Sequence, residues 1–156
     1  MMMRALRFFI AFLVVAPAGA AAQATPVRWV TAARVADDAA RDSAITKLES
    51  FLQEYPSSPL RPNALFQLGE LLVRKADEQF AESQRASSDT SSGRRSEGQV
   101  RPNYGPAITV YEELVRKYAN FEQIDAAAYT LGTLYNAEQR YADATRMFEL
   151  VSTKTD

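Results

Sequence analysis

Apolar residues in this chain recur at steps of three and four, and clusters of Pro, Gly and Ser divide them into blocks. Ala44, Leu48, Phe51, Leu52 and Tyr55 share one face of a helix that ends before Pro56. Leu65, Leu68, Leu72, Ala76 and Phe80 repeat at the same steps and predict a long helix from about Pro62 to Ala86. Pro106 suits a first helical turn, and Ala107, Tyr111, Leu114, Val115 and Tyr118 follow on one face. Ala128, Leu131 and Tyr135 define a fourth helix; Ala144, Met147, Phe148 and Val151 define a fifth. No segment alternates with period two, so the predicted fold class is all-α.

Two segments interrupt or precede this pattern. Ser83–Asn103 holds six serines, two glycines and four arginines with almost no apolar residue, and is expected to be a flexible polar insertion over 83–103. At the other end, Met1–Arg7 is short and basic, Phe8–Ala16 is an unbroken apolar run, and Ala22-Gln23-Ala24 supplies the small-x-small pattern cut by a signal peptidase. Residues 1–24 therefore read as a signal peptide, and the apolar run is about half of the ~20 residues that span a bilayer as a helix. The expectation is an exported, most simply periplasmic, protein with no stable membrane span after cleavage. Residues 25–41 form an N-terminal segment in which Trp29 is expected to anchor the chain on the first hairpin.

The helical blocks are copies of one another. Ala44, Leu48, Phe51 and Pro56 align with Ala107, Tyr111, Leu114 and Ala119, and with Ala144, Phe148, Val151 and Asp156, at offsets 0, 4, 7 and 12. A Leu-Gly pair follows at one and the same distance in two copies, Leu68-Gly69 after Pro56 and Leu131-Gly132 after Ala119. The interval from Leu68 to Ala107 exceeds that from Leu131 to Ala144 by 26, so the middle copy carries an insertion of that size. A glycine on one helix facing an alanine on the next permits close approach, and a hairpin that cannot bury its own apolar face must stack on another.

This pattern resembles the tetratricopeptide repeat (TPR) family, whose unit carries Leu-Gly and Tyr in its first helix and Ala, Phe and Ala in its second. Leu131, Gly132, Tyr135, Tyr141, Ala144 and Phe148 carry the resemblance in the last copy, and Leu68-Gly69 with Tyr104 and Ala107 in the middle one. Leu65 and Ala128 stand where the family has tryptophan, Gln139 where it has the inter-helix glycine, and Ala119 and Asp156 where it has proline. Tyr-Pro at the join (Tyr55-Pro56) and the spacing between copies are similar to bacterial envelope TPR proteins of the Tol-Pal-associated and outer-membrane-assembly type. The resemblance implies a right-handed α-solenoid of antiparallel hairpins over 42–156, with about two and a half repeats.

It also implies a function: the first helices of successive repeats line a groove that takes a protein or peptide partner in the cell envelope. The family's groove positions fall on Asn63, Phe66, Glu70 and Val73, and on Ala126, Tyr129, Thr133 and Asn136. The last helix leaves Met147, Phe148, Leu150 and Val151 in want of a neighbour, and a stable array usually needs three repeats or more. The expectation is the N-terminal part of a longer scaffold; the alternative is a homo-oligomer built through the terminal helices.

Composition narrows the chemistry. The chain has 156 residues with no cysteine and no histidine, which excludes disulfides, thiolate or imidazole metal ligands, and nucleophile–histidine triads. Without Arg4 and Arg7 of the leader, 16 basic residues face 19 acidic ones, and no basic stripe suggests nucleic acid. Carboxylate pairs such as Asp37-Asp38, Asp77-Glu78 and Glu112-Glu113 diverge by about 100° on a helix and read as solvated faces, with Glu112–Arg116 and Glu113–Lys117 as i,i+4 pairs. The glycines of the Leu-Gly pairs lie inside helices and form no phosphate-cradling loop. No catalytic residue, cofactor or metal is expected.

Overall fold

The structure is a computed structural model that describes residues 26–89 and 101–153. The described residues form five helices: α1 (Pro26–Glu54), α2 (Arg61–Asp89), α3 (Gly105–Lys117), α4 (Ile124–Ala137) and α5 (Tyr141–Ser152). Among the described residues there is no strand. The leader at 1–24, residues 90–100 of the predicted insertion and Asp156 lie outside the described residues, as does the side chain of Trp29.

Each helix packs on the next in sequence. Side-chain pairs show that neighbours run antiparallel: Lys75 Nζ meets Asp42 at 3.0 Å midway along the α1–α2 hairpin, and Arg61 donates to the Leu52 carbonyl at 2.6 Å near its turn. On the α2–α3 pair, Arg61 Nη2 meets Glu113 at 2.9 Å, while Tyr104 Oη donates to Asp77 at 2.5 Å.

Two expectations change here. Residues 26–41 are not a separate segment but the first half of α1, and the helix runs 29 residues without a break. Pro26 fits a first turn, and neither Gly nor Pro follows before Pro56; the apolar periodicity is weak there, so the pattern alone missed a stretch that propensity favours. Likewise Ser83–Asp89, where the helix expected to about Ala86 overlaps the expected insertion, is helical throughout and continues α2. Ser83 Oγ donates to the Phe80 carbonyl at 2.7 Å and Ser87 Oγ to the Ser83 carbonyl at 2.8 Å, so these hydroxyls are satisfied inside the helix instead of competing with it. Both long helices extend about 43 Å, against about 20 Å for each of α3, α4 and α5.

The internal repeat is present in the backbone, bond for bond. Tyr55 N–H donates to Phe51 O, Ser58 N–H to Tyr55 O, Arg61 N–H to Ser58 O and Ala64 N–H to Leu60 O, at 2.9–3.2 Å. One repeat later, Tyr118, Phe121, Ile124 and Ala127 donate to Leu114, Tyr118, Phe121 and Gln123 at 2.9–3.1 Å. Pro56 blocks continuation of α1 at the first join; Ala119 at the second adopts the same path without a proline. Burial follows the same shift: Leu65, Leu68 and Gly69 are buried on α2, and Ala128, Leu131 and Gly132 on α4.

The closest helix contacts also repeat. A Cβ on Gly69 would lie 2.6 Å from the Tyr111 ring, and one on Gly132 would lie 2.6 Å from the Phe148 ring. The insertion in the middle copy leaves this seat intact, so α3 meets α2 as α5 meets α4. Around these seats Leu65, Ala107, Ile108, Leu114, Ala127, Leu131, Leu134 and Ala144 form one buried cluster spanning α2 to α5.

The α4–α5 turn closes differently. Gln139 has φ 62°, the left-handed region that favours glycine. Gln139 N–H donates to Asn136 O at 3.0 Å and Arg140 N–H to Tyr135 O at 2.8 Å, the two bonds of a Schellman motif. Its usual apolar clasp is supplied by the Arg140 guanidinium, 4.1 Å from the Tyr135 ring centroid.

These contacts set three expectations, all measured by urea unfolding. Gly69→Ala destabilises by about 1–3 kcal/mol because Tyr111 is 1% exposed and has nowhere to move. Gly132→Ala stays within about 1 kcal/mol of the parent, since Phe148 is 37% exposed and can swing outward while alanine favours the helix. Gln139→Gly stabilises by about 0.5–1 kcal/mol through relief of the left-handed strain.

Candidate partner-binding surface

The surface implied by the sequence lies on α2 and α4, whose predicted positions correspond one repeat apart: Asn63 to Ala126, Phe66 to Tyr129, Glu70 to Thr133 and Val73 to Asn136. Asn63, Glu70, Ala126, Tyr129, Thr133 and Asn136 are exposed. Phe66 and Val73 are not open positions. Both are half-buried and packed against the core. Phe66 meets Tyr111 edge-on at 6.2 Å and Phe121 at 5.9 Å, and so ties α2 to α3 and to the α3–α4 join.

Tyr129 is the contrasting case. It is 61% exposed and rests one side of its ring on Phe148 at 5.8 Å. The Thr133 hydroxyl donates to the Tyr129 carbonyl at 3.0 Å, leaving its oxygen lone pairs facing solvent. Helical spacing puts Tyr129, Thr133 and Asn136 on one uncharged stripe of α4 that offers an aromatic face, a hydroxyl and a carboxamide. The corresponding stripe of α2 offers Asn63 and the Glu70 carboxylate.

Clefts among the described residues adjoin these helices, three of them formed as follows. One of about 430 Å³ lies between the two joins, where Pro59, Pro62 and Asn63 face Lys117, Asn120 and Phe121. Sequence reasoning located both joins but not the space between them, because their side-by-side placement follows from stacking of the copies. A second, about 520 Å³, lies among Ile45, Thr46, Leu72, Lys75, Gln79 and Pro106. The third, about 400 Å³, is lined by Ile108, Thr109, Glu112, Glu138 and Arg140.

Glu112 and Asp42, which line two of these clefts, hold helices together, and the acidic groups nearby are paired as well. Tyr135 Oη donates to Glu112 at 2.6 Å, and Arg140 approaches the same carboxylate at 3.6 Å. The expected Glu113–Lys117 pair forms at 3.1 Å, but Glu112 turns to α4 instead of to Arg116. Asp143 takes Arg140 at 2.7 Å and also pairs with Arg146, and hydrogen bonds from both hold its carboxyl below the usual range. Arg41, with a side chain 9% exposed, gathers Asp38 at 3.0 Å and Glu78 across the α1–α2 interface. Asp42 is held below its usual range chiefly by the hydrogen bond from Lys75. Among the described residues no group of three or more acidic side chains is placed to hold a metal ion. No helix among them is long and apolar enough to cross a membrane.

Burial, and then the hydrogen bonds to their carboxylate partners, push the Tyr104 and Tyr135 phenols up to about 12. These tyrosines donate hydrogen bonds to Asp77 and Glu112 and so work as struts. No family model, curated protein or solved structure matches the chain.

At Glu113 partial burial raises the carboxyl pKa, but the hydrogen bonds and charges of Arg61 and Lys117 outweigh it and leave the group below its ordinary 4.5. The unfolded chain thus binds the proton more readily, so this contribution is complete above 4.5 and is lost as pH falls through the lower folded value. Glu113→Gln is expected to flatten the fall of the urea midpoint between about pH 5 and about pH 3.

Proposed function

We propose that this chain is a non-catalytic, exported protein-binding module of the bacterial cell envelope, built as a TPR-like right-handed stack of antiparallel helical hairpins. The observation that carries the reading is the register of the copies. Eight backbone hydrogen bonds form two matching sets of four, and an aromatic side chain is seated on a helix glycine twice. Repetition of that kind produces an extended surface in which equivalent helices present equivalent positions, and a surface suits an extended or helical protein segment better than a small molecule.

The α4 stripe is the best-equipped part of that surface. Tyr129 supplies amphipathic contact area held in place by Phe148, and Asn136 and Thr133 supply hydrogen bonding to a peptide backbone. Glu70 and Asn63 extend the polar part along α2. Phe66 and Val73 support the surface from below. Export rests on the basic, apolar and small-residue succession of residues 1–24.

The test is capture from a bacterial envelope extract by the full chain, compared with a Tyr129→Ala/Asn136→Ala variant. The variant is expected to lose partner capture at least tenfold while keeping its helical circular dichroism and urea midpoint. Capture that survives the double change overturns the α4 assignment. Light-scattering mass is expected to stay monomeric across concentration; growth with concentration overturns the module in favour of a homo-oligomer.

A further inference from the structure

The register of the copies also says what the outer face of α1 is built to meet. Ala44, Leu48, Phe51 and Tyr55 correspond, one repeat on, to Ala107, Tyr111, Leu114 and Tyr118. In α3 these positions face α2: the Tyr111 ring covers Gly69, and Tyr111 and Leu114 are 1% and 0% exposed. In α5 the corresponding Phe148 covers Gly132 of α4. The same register in α1 has no such neighbour among the described residues. Leu48 and Phe51 are only half-buried, and Tyr55, stacked on Phe51 at 5.3 Å, is 54% exposed.

The adjoining side of α1 is already used. Ile45 is buried and Leu52 packs against the core toward α2, as Ile108 and Val115 do toward α4. On α5, at the far side of the stack, the equivalents of Ile45 and Leu52 are Thr145 and Ser152, both exposed and polar. The two outer faces therefore differ: α5 presents polar side chains to solvent, whereas α1 keeps an apolar, groove-filling face.

We propose that the Ala44–Leu48–Phe51–Tyr55 face of α1 docks a helix of a partner protein. That helix runs antiparallel to α1 and carries a leucine–glycine pair whose glycine seats Leu48. Its chemistry is specified by the two helices that fill the same register elsewhere in the chain, α2 through Leu68-Gly69 and α4 through Leu131-Gly132. A helix as long as α4 suffices, since α4 is what covers α5. The site lies on a different helix from the Tyr129 stripe and does not depend on it.

The probe is a synthetic peptide of residues 61–80, held helical by a hydrocarbon bridge between positions 63 and 67, which are exposed on α2. It is titrated into the full chain by fluorescence anisotropy. Binding is expected to weaken at least tenfold with Gly69→Leu in the peptide, and likewise with Leu48→Asp or Tyr55→Arg in the chain. Tyr55 is exposed, so its substitution tests the face without threatening the fold, and Tyr129→Ala is expected to leave peptide binding unchanged. A photo-reactive group on the peptide, at the position of Leu68, is expected to label residues within 44–55. No binding at millimolar peptide, equal binding by the glycine and leucine peptides, or labelling confined to α3 or α5 overturns the proposal.

Discussion

The structure depends on a ring seated against a helix where a side chain is missing. A helix surface normally keeps a neighbour at about 8–10 Å because of its own side chains. Gly69 and Gly132 remove that spacer, and the rings of Tyr111 and Phe148 occupy the space where a Cβ would stand. The cost is glycine in the interior of two helices, roughly 1 kcal/mol each. The return is a contact that fixes both axial position and rotation of one helix on another, because a ring has only one place to sit. Leu65, Leu114, Leu131 and Ala144 then fill the layers on either side.

Polar contacts refine that arrangement more than they create it. Tyr104 and Tyr135 reach from one helix to a carboxylate on another, and Arg61 binds both the Leu52 carbonyl and Glu113, so one guanidinium spans α1, α2 and α3. The α1–α2 hairpin is the exception. Midway along it, beside the buried Ile45 and Ala76, Arg41 and Lys75 with Asp38, Asp42 and Glu78 share in the pairing. Ion pairs at partly exposed positions contribute modestly and weaken with salt.

What was legible in the sequence was whatever repeats. Leu-Gly at 68–69 and 131–132, with alanine at 44, 107 and 144, announced the helix pairing, and the unequal intervals between them located the insertion. Gln139 was visible as a non-glycine at a turn, though only the backbone shows that it adopts glycine's conformation. The boundaries set by composition fared worse. Residues 26–41 and 83–89 lack apolar periodicity, yet nothing in them breaks a helix, and each continues the helix it adjoins. At the surface, spacing assigned Phe66 and Tyr129 equal roles. Their fates diverge because Phe121 covers the first, while no join follows α5 among the described residues to cover the second.

The lengths of the connections carry a kinetic consequence. Only 138–140 join α4 to α5, whereas the whole stretch 90–104 separates α2 from α3, yet both pairs end in the same ring-on-glycine seat. Loop-closure entropy rises by about 0.6 kcal/mol per doubling, so the longer connection costs roughly 1–1.5 kcal/mol more to close. Two sites with the same final geometry are thus reached at different speeds. The α4–α5 hairpin is the natural nucleus, and α3 bridges it to a separately formed α1–α2 hairpin. Because every helix packs on its sequence neighbour, assembly can then proceed pair by pair from either side of α3.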